Sequence, residues 1–184
     1  MKKIVVSIVV ILFALTSQAQ VTAYGRYTEG KSSVDADINI YGEKKISKKI
    51  NFTYFSLVEK SWAEGLLGVS YSPKDWISVG FSVGIEQNPA LYRFSNSIWI
   101  GKGKNSLLVL TEKGEGKENY WYKVNACHKF SEKFSLSAMA WRFHGVGPMF
   151  KYTFPKWETS LFILPAYDFE PKAYRLIAGI AVKI

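Results

Sequence analysis

The chain has 184 residues, 16% of them aromatic, one cysteine and a formal net charge of +9. A lone cysteine excludes an internal disulfide, and the length fits one domain behind a short leader. No Gly-rich nucleotide loop, zinc-ligand spacing or helical heptad occurs, which sets aside three broad functional classes.

Met1-Lys2-Lys3 gives a positive start, and Ile4 to Leu15 is apolar except for Ser7. That run of 12 residues is shorter than the ~20 a spanning helix needs. Ser17 and Ala19 supply the small residues of a cleavage site. Residues 1–19 therefore read as a secretory signal peptide cut after Ala19, and 20–184 as one domain. Losing Lys2 and Lys3 with the leader takes the formal charge from +9 to +7.

Val21–Thr28 reads as a first strand, followed by the polar run Glu29–Ser33. Val34, Ala36, Ile38 and Ile40 alternate with Asp35, Asp37, Asn39 and Tyr41, and Gly42–Lys45 turns the chain. Asn51–Glu59 is a third strand of less even pattern. Glu64–Ser72 and Asp75–Glu86 form a hairpin about the turn Ser72-Pro73-Lys74-Asp75. Its second arm is the cleanest stretch in the chain. Ile77, Val79, Phe81, Val83 and Ile85 alternate with Ser78, Gly80, Ser82, Gly84 and Glu86. A period of two, apolar against small or polar, marks a strand whose faces meet different surroundings.

Gln87–Ala90 is a loop, and Leu91–Ile100 alternates again. Gly101–Asn105 turns, Ser106–Lys113 is strand-like, and Gly114–Glu118 is a polar loop. Tyr120–Cys127 alternates, Phe130–Lys133 turns, and Phe134–Phe143 alternates less well, as a strand with a bulge would. Gly145–Pro148 reads as a tight loop before a strand through Phe150, Tyr152 and Phe154. Pro155-Lys156 turns into Glu158–Ile163, and Asp168–Lys172 loops into the terminal strand Tyr174–Ile184. That gives twelve strands, or ten if Val21–Tyr41 does not join the wall. Twelve strands of about ten residues leave about four for each connection, a normal hairpin length. Trp62, Trp76, Trp99, Tyr120, Trp121, Trp141, Trp157 and Tyr167 fall near strand ends, as interfacial aromatic girdles do.

The leader, the alternating hairpins and the amphipathic last strand resemble those of bacterial outer-membrane β-barrel proteins. The resemblance implies an all-β, up-and-down antiparallel transmembrane barrel in the outer membrane, inserted from the periplasm. It further implies contact with outer-membrane lipid and lipopolysaccharide. Both strand counts are even, which puts both termini at the periplasmic end. The short Lys-bearing connections at Pro73, Ser131 and Pro155 then face the periplasm. The acidic or Gly-rich ones at Trp62, Gln87, Gly114, Gly145 and Asp168 face outward.

Polar residues from the ends of many strands would meet in one ring near the outer rim: Glu59, Glu64, Glu86, Arg93, Glu112, Arg142, His144, Asp168, Glu170 and Arg175. Such a ring acts either as a salt-bridged plug or as a constriction for a polar solute, with Glu59, Glu86, Arg93, Arg142 and Arg175 at its centre. Lys123, Lys183, Arg93 and Arg175 would line a lumen that favours anions. Catalysis would have to run through His144 as a base with Asp168 or Glu170, since His128 reads as an interfacial residue. No serine stands beside His144 in a nucleophile motif.

No metal or other cofactor is expected, nor a nucleic-acid partner. Secretion and scattered lysines argue against the latter. The leading expectation is a barrel that binds or passes small polar, even anionic, solutes through a narrow charged lumen. The alternatives are a closed barrel making surface contacts, blocked by inward Trp76, Trp99, Trp121, Phe162 and Leu164, and a lipid-modifying enzyme centred on His144.

Overall fold

The computed structural model describes residues 18–87 and 92–184. The leader up to residue 17 and most of the expected Gln87–Ala90 loop lie outside the described residues. Twelve strands follow in order: β1 (Gln18–Thr28), β2 (Val34–Lys45), β3 (Ile50–Glu59), β4 (Ala63–Lys74), β5 (Ile77–Glu86) and β6 (Tyr92–Lys102), then β7 (Asn105–Gly114), β8 (Tyr120–Lys129), β9 (Phe134–Trp141), β10 (Gly145–Phe154), β11 (Thr159–Asp168) and β12 (Ala173–Lys183). Each is antiparallel to its neighbours in sequence, and β12 returns to pair with β1, so the sheet closes on itself. Closure leaves no strand edge, the condition for taking a sheet into hydrocarbon. The expected twelve-stranded up-and-down barrel is the observed fold, and Val21–Tyr41 belongs to its wall.

The alternation becomes an inside and an outside. In β5, Val79, Phe81, Val83 and Ile85 are exposed on the outer face, while Ser78, Gly80, Ser82 and Gly84 face inward. Leu67 and Val69 of β4, Phe94 and Ile98 of β6, Phe150 of β10 and Leu161 and Ile163 of β11 extend the same apolar surface. A chain in water would not leave so broad a belt uncovered, whereas a bilayer covers it.

The lumen has two unlike walls. Along β4, β5 and β6 it is lined by Gly68, Ser70, Gly80, Ser82, Ser95 and Ser97. Across the barrel, Tyr24, Met139, Trp141, Leu164, Ala166 and Ile177 form a buried apolar cluster, with Trp121, Met149 and Phe162 packed against it. Gly179 makes room for this cluster: a Cβ there would fall 2.5 Å from Tyr24 Cβ and 2.7 Å from the Phe162 ring.

Several boundaries move from expectation. Gly42–Lys45 continues β2, and the chain turns at 46–49, where the Ile46 and Ser47 amides both bond the Ile50 carbonyl. β4 runs through Pro73 to Lys74, and the ladder to β5 shifts register between Tyr71 and Lys74. Proline brings no N–H to a ladder, so the irregularity falls where a donor is missing. The bulge expected in Phe134–Phe143 is absent: β9 pairs in unbroken register with β8 and β10 and stops at Trp141. Arg142–His144 is the turn instead, with Phe143 left-handed at φ 65°. Gly145–Pro148 is strand, the start of β10. Ala19, where the leader is expected to end, pairs with Gly42 within β1.

Candidate functional site

All four arginines of the chain, Arg26, Arg93, Arg142 and Arg175, lie at the end of the barrel away from the termini. Each meets carboxylates there. Arg93 on β6 is the most enclosed. Its Nε lies 2.7 Å from Glu112 of β7 and 2.9 Å from Glu64 of β4, and its Nη1 is 2.7 Å from Glu86 of β5. All four side chains are at most 4% exposed. Trp62 stands over the guanidinium at 5.6 Å and donates its Nε1–H to Glu64. Asn119, from the β7–β8 loop, accepts from Arg93 and donates to Glu86. Three carboxylates on one guanidinium is an arrangement arginine suits, because its planar fork presents several donors in fixed directions.

Arg142, in the β9–β10 turn, is held from every side. Its Nε donates to Glu170 at 3.0 Å and its Nη2 approaches Glu118 at 3.3 Å. Its Nη1 donates to the carbonyls of Glu118 and Tyr120, and its face lies 3.5 Å from the Tyr120 ring centre. Arg175 on β12 pairs with Asp168 on β11 at 2.8 Å and donates to the Phe143 carbonyl. Arg26 on β1 reaches Asp35 at 3.6 Å and Glu59 at 3.8 Å. The mouth therefore carries four guanidinium groups against Asp35, Glu59, Glu64, Glu86, Glu112, Glu118, Asp168 and Glu170, an excess of acid.

His144 closes the other side. Its ring stacks on Trp141, its Nε2 lies 3.1 Å from Tyr24 Oη and 3.2 Å from Arg26 Nη1, and its Nδ1 is 3.1 Å from the Arg142 carbonyl. Burial, then the charge of Arg26, hold this imidazole well below its ordinary value. The neutral tautomer with Nδ1–H donating to the Arg142 carbonyl leaves Nε2 as an acceptor for Tyr24 and Arg26. Asp168 and Glu170 are engaged with Arg175 and Arg142, and His144 touches neither. The acid–base partnership expected of His144 and Asp168 is not made.

The structure thus brings Glu64, Glu86, Arg93 and Glu112 into one cluster, Arg142 and Glu170 into a second, and Asp168 and Arg175 into a third. Glu59 joins Arg26. Sequence reasoning passed over Arg26, Asp35, Glu118, Asn119 and Tyr24. Arg26 was legible, since it shares the inward face of Thr22 and Tyr24 by simple alternation. The loop residues carried no periodic signal. Asp37, also missed, is buried at 2% exposure opposite Glu59 in the β2–β3 ladder. Among the described residues, no group of three His, Cys, Asp or Glu side chains is placed to hold a metal ion.

Three aromatic assignments are corrected. Trp121 and Trp141 belong to the luminal cluster, and Trp62 caps Arg93, so none of the three is a girdle residue. Trp76 and Trp157 are exposed at the end that carries the termini.

No family model matches the chain, and no curated protein matches it either. Among solved structures, the chain is similar to KdgM porin, with a TM-score of 0.57 and 9% identity over 90% of this chain and 99% of that one. A mutant of Rh. blastica porin also matches, with a TM-score of 0.40 and 10% identity over 91% of this chain and 99% of that one. The first likeness concerns architecture: the chain has the fold of an outer-membrane porin barrel.

Proposed function

We propose that this protein passes small polar solutes across the outer membrane through a narrow lumen whose outer mouth is the arginine–carboxylate ring. The observation that carries the reading is the convergence of charged side chains from β1 to β7, β11, β12 and three loops on one end of a closed barrel. Charged rings at a constriction select solutes by charge and hydrogen bonding. The Gly- and Ser-lined wall of β4 to β6 keeps bulk out of that side of the lumen, and Ser78, Gly80, Ser82 and Gly84 are partly solvent-accessible. With the termini in the periplasm, the ring faces the exterior and the lipopolysaccharide layer. The signal peptide, cut after Ala19, delivers the chain.

One observation favours a second reading, a closed barrel whose loops make the contacts. The Tyr24–Trp141–Leu164–Ile177 cluster fills the lumen on the β9 to β12 side, and the Arg93 ion pairs of the mouth are buried. The lipid-modifying alternative has less support, since the carboxylates near His144 are bound to arginines. Planar-bilayer recordings of the folded protein in a salt gradient decide between the first two readings. Stepwise currents support solute passage, and silence from verifiably folded protein overturns it in favour of the closed barrel.

A further inference from the structure

Inward-facing charges divide by type along the barrel axis. Every arginine sits at the mouth with carboxylates. Deeper in, β8 and β10 turn Lys123 and Lys151 toward the lumen, with β9 between them. Among the described residues, no carboxylate lies within ion-pair distance of either lysine. The inward carboxylate of the neighbouring strand, Glu112, stands opposite Trp121, one inward position further toward the mouth, and is taken by Arg93. Lys123 Nζ rests 4.1 Å from the Trp141 ring centre, a contact that orients the ammonium without neutralising it.

The groups around the two lysines are neutral polar side chains and, opposite Ser137, the Cys127 thiol. Asn125 is the next inward residue after Lys123 on β8, and its Oδ1 is buried with no hydrogen-bond partner. Exchanging the amide O and N by a flip turns that unsatisfied position into an N–H donor. Ser135 pairs with Lys151 in the ladder, and Ser137 lies beside it on the inward face of β9. Two ammonium groups, an amide and two hydroxyls, with no carboxylate among them, suit an acceptor-rich ligand that carries negative charge.

Lys123 stands at the level of Trp141 and Lys151 at the level of Ser135, six residues further along β9. We propose that Lys123, Asn125, Ser137, Ser135 and Lys151 form a stripe of oxyanion contacts along the luminal wall, for a ligand bearing carboxylate or phosphate groups. Bound there, the anion relieves the repulsion of two unneutralised ammonium groups in a poorly hydrated wall. The proposal deepens the solute-passage reading by naming the solute's charge, and it rests on that reading's open lumen.

The test is a calorimetric titration of the folded barrel in a non-ionic detergent at low ionic strength, with inorganic phosphate in one arm and acetate in the other. Saturable binding of one or both is expected, and the arm that responds tells phosphate from carboxylate. A Lys123→Gln/Lys151→Gln double variant should bind at least about tenfold more weakly, the scale of one charge-assisted hydrogen bond. Lys104→Gln, in an exposed turn, should bind as the parent does. Heat-modifiable gel migration and far-ultraviolet circular dichroism verify the fold of each variant. Absence of binding in both arms, or equal affinity in the double variant, overturns the proposal. Titration needs no current, so its outcome is separate from that of the bilayer recording.

Discussion

Trp141 and His144 lie face to face, their ring centres 3.7 Å apart and their planes 7° from parallel. Lys123 approaches one member of this stack and Arg26 the other. A neutral imidazole fits between two cations, whereas an imidazolium would add a third charge. His144 therefore makes the fold sensitive to acid. Its folded value lies below the ordinary one near 6.5, so the unfolded chain takes up its proton first as pH falls. The stability it contributes is complete above about pH 6.5 and is lost as pH drops below that toward the folded value. Urea unfolding in detergent at pH 7.5 and 5.0 should show a smaller acid-induced loss for His144→Gln than for the parent. An equal loss in both would remove His144 from the account.

Arg93 and its three carboxylates make a second, asymmetric prediction. Removing the arginine strands three buried acids, and Arg93→Gln should lower stability by about 3–5 kcal/mol at neutral pH. Glu64→Gln leaves Glu86 and Glu112 on the guanidinium and keeps an acceptor for Trp62, so its loss should be much smaller. Equilibrium unfolding of the two variants side by side reads the difference. Losses of equal size would mean that the cluster is not organised by Arg93.

The outer belt predicts a dependence on depth. Phe81 sits mid-strand on the outer face of β5, paired with Val69 and Asn96. Phe81→Arg should cost about 2–4 kcal/mol in a bilayer, while Tyr27→Arg, near the rim of β1, should cost about 0–1 kcal/mol. Equal costs would place the belt elsewhere than at mid-bilayer.

Adjacent residues of β5 separate lumen from lipid. If solutes pass along the Gly- and Ser-lined wall, Ser82→Trp should reduce single-channel conductance by at least about half, since a ring there narrows the path. Phe81→Trp, one residue away on the other face, should leave conductance unchanged. Equal effects of the two substitutions would count against a luminal path along β5.

Strand number and facing were legible because period two survives wherever one side meets lipid and the other the lumen. Ile77 to Ile85 shows it without interruption. The pattern misled where local chemistry outweighed it. Pro73 looked like the centre of a turn, yet the strand absorbs it in a bulge and turns after Lys74. Gly145–Pro148 looked like a loop, yet its glycines serve close packing: a Cβ at Gly145 or Gly147 would strike the backbone of β11. The ring residues could be foreseen as a set, since their distance from strand ends is readable. Their pairing could not, because partners such as Arg26 and Glu59 become neighbours only through lateral strand order and side-chain reach. Asn119 and Glu118 lay in a loop where alternation carries no information.

The seam between β1 and β12 has a consequence for how the chain could be rewired. Gln20 pairs with Lys183 and Val21 with Val182, so both ends of the barrel wall meet at one point. The wall has no structural beginning: twelve staves form a hoop, and the backbone is cut at one joint among many. A short linker across that joint, with a new opening at the Gly103-Lys104 turn, should yield a circularly permuted barrel with the same hoop and the same ring.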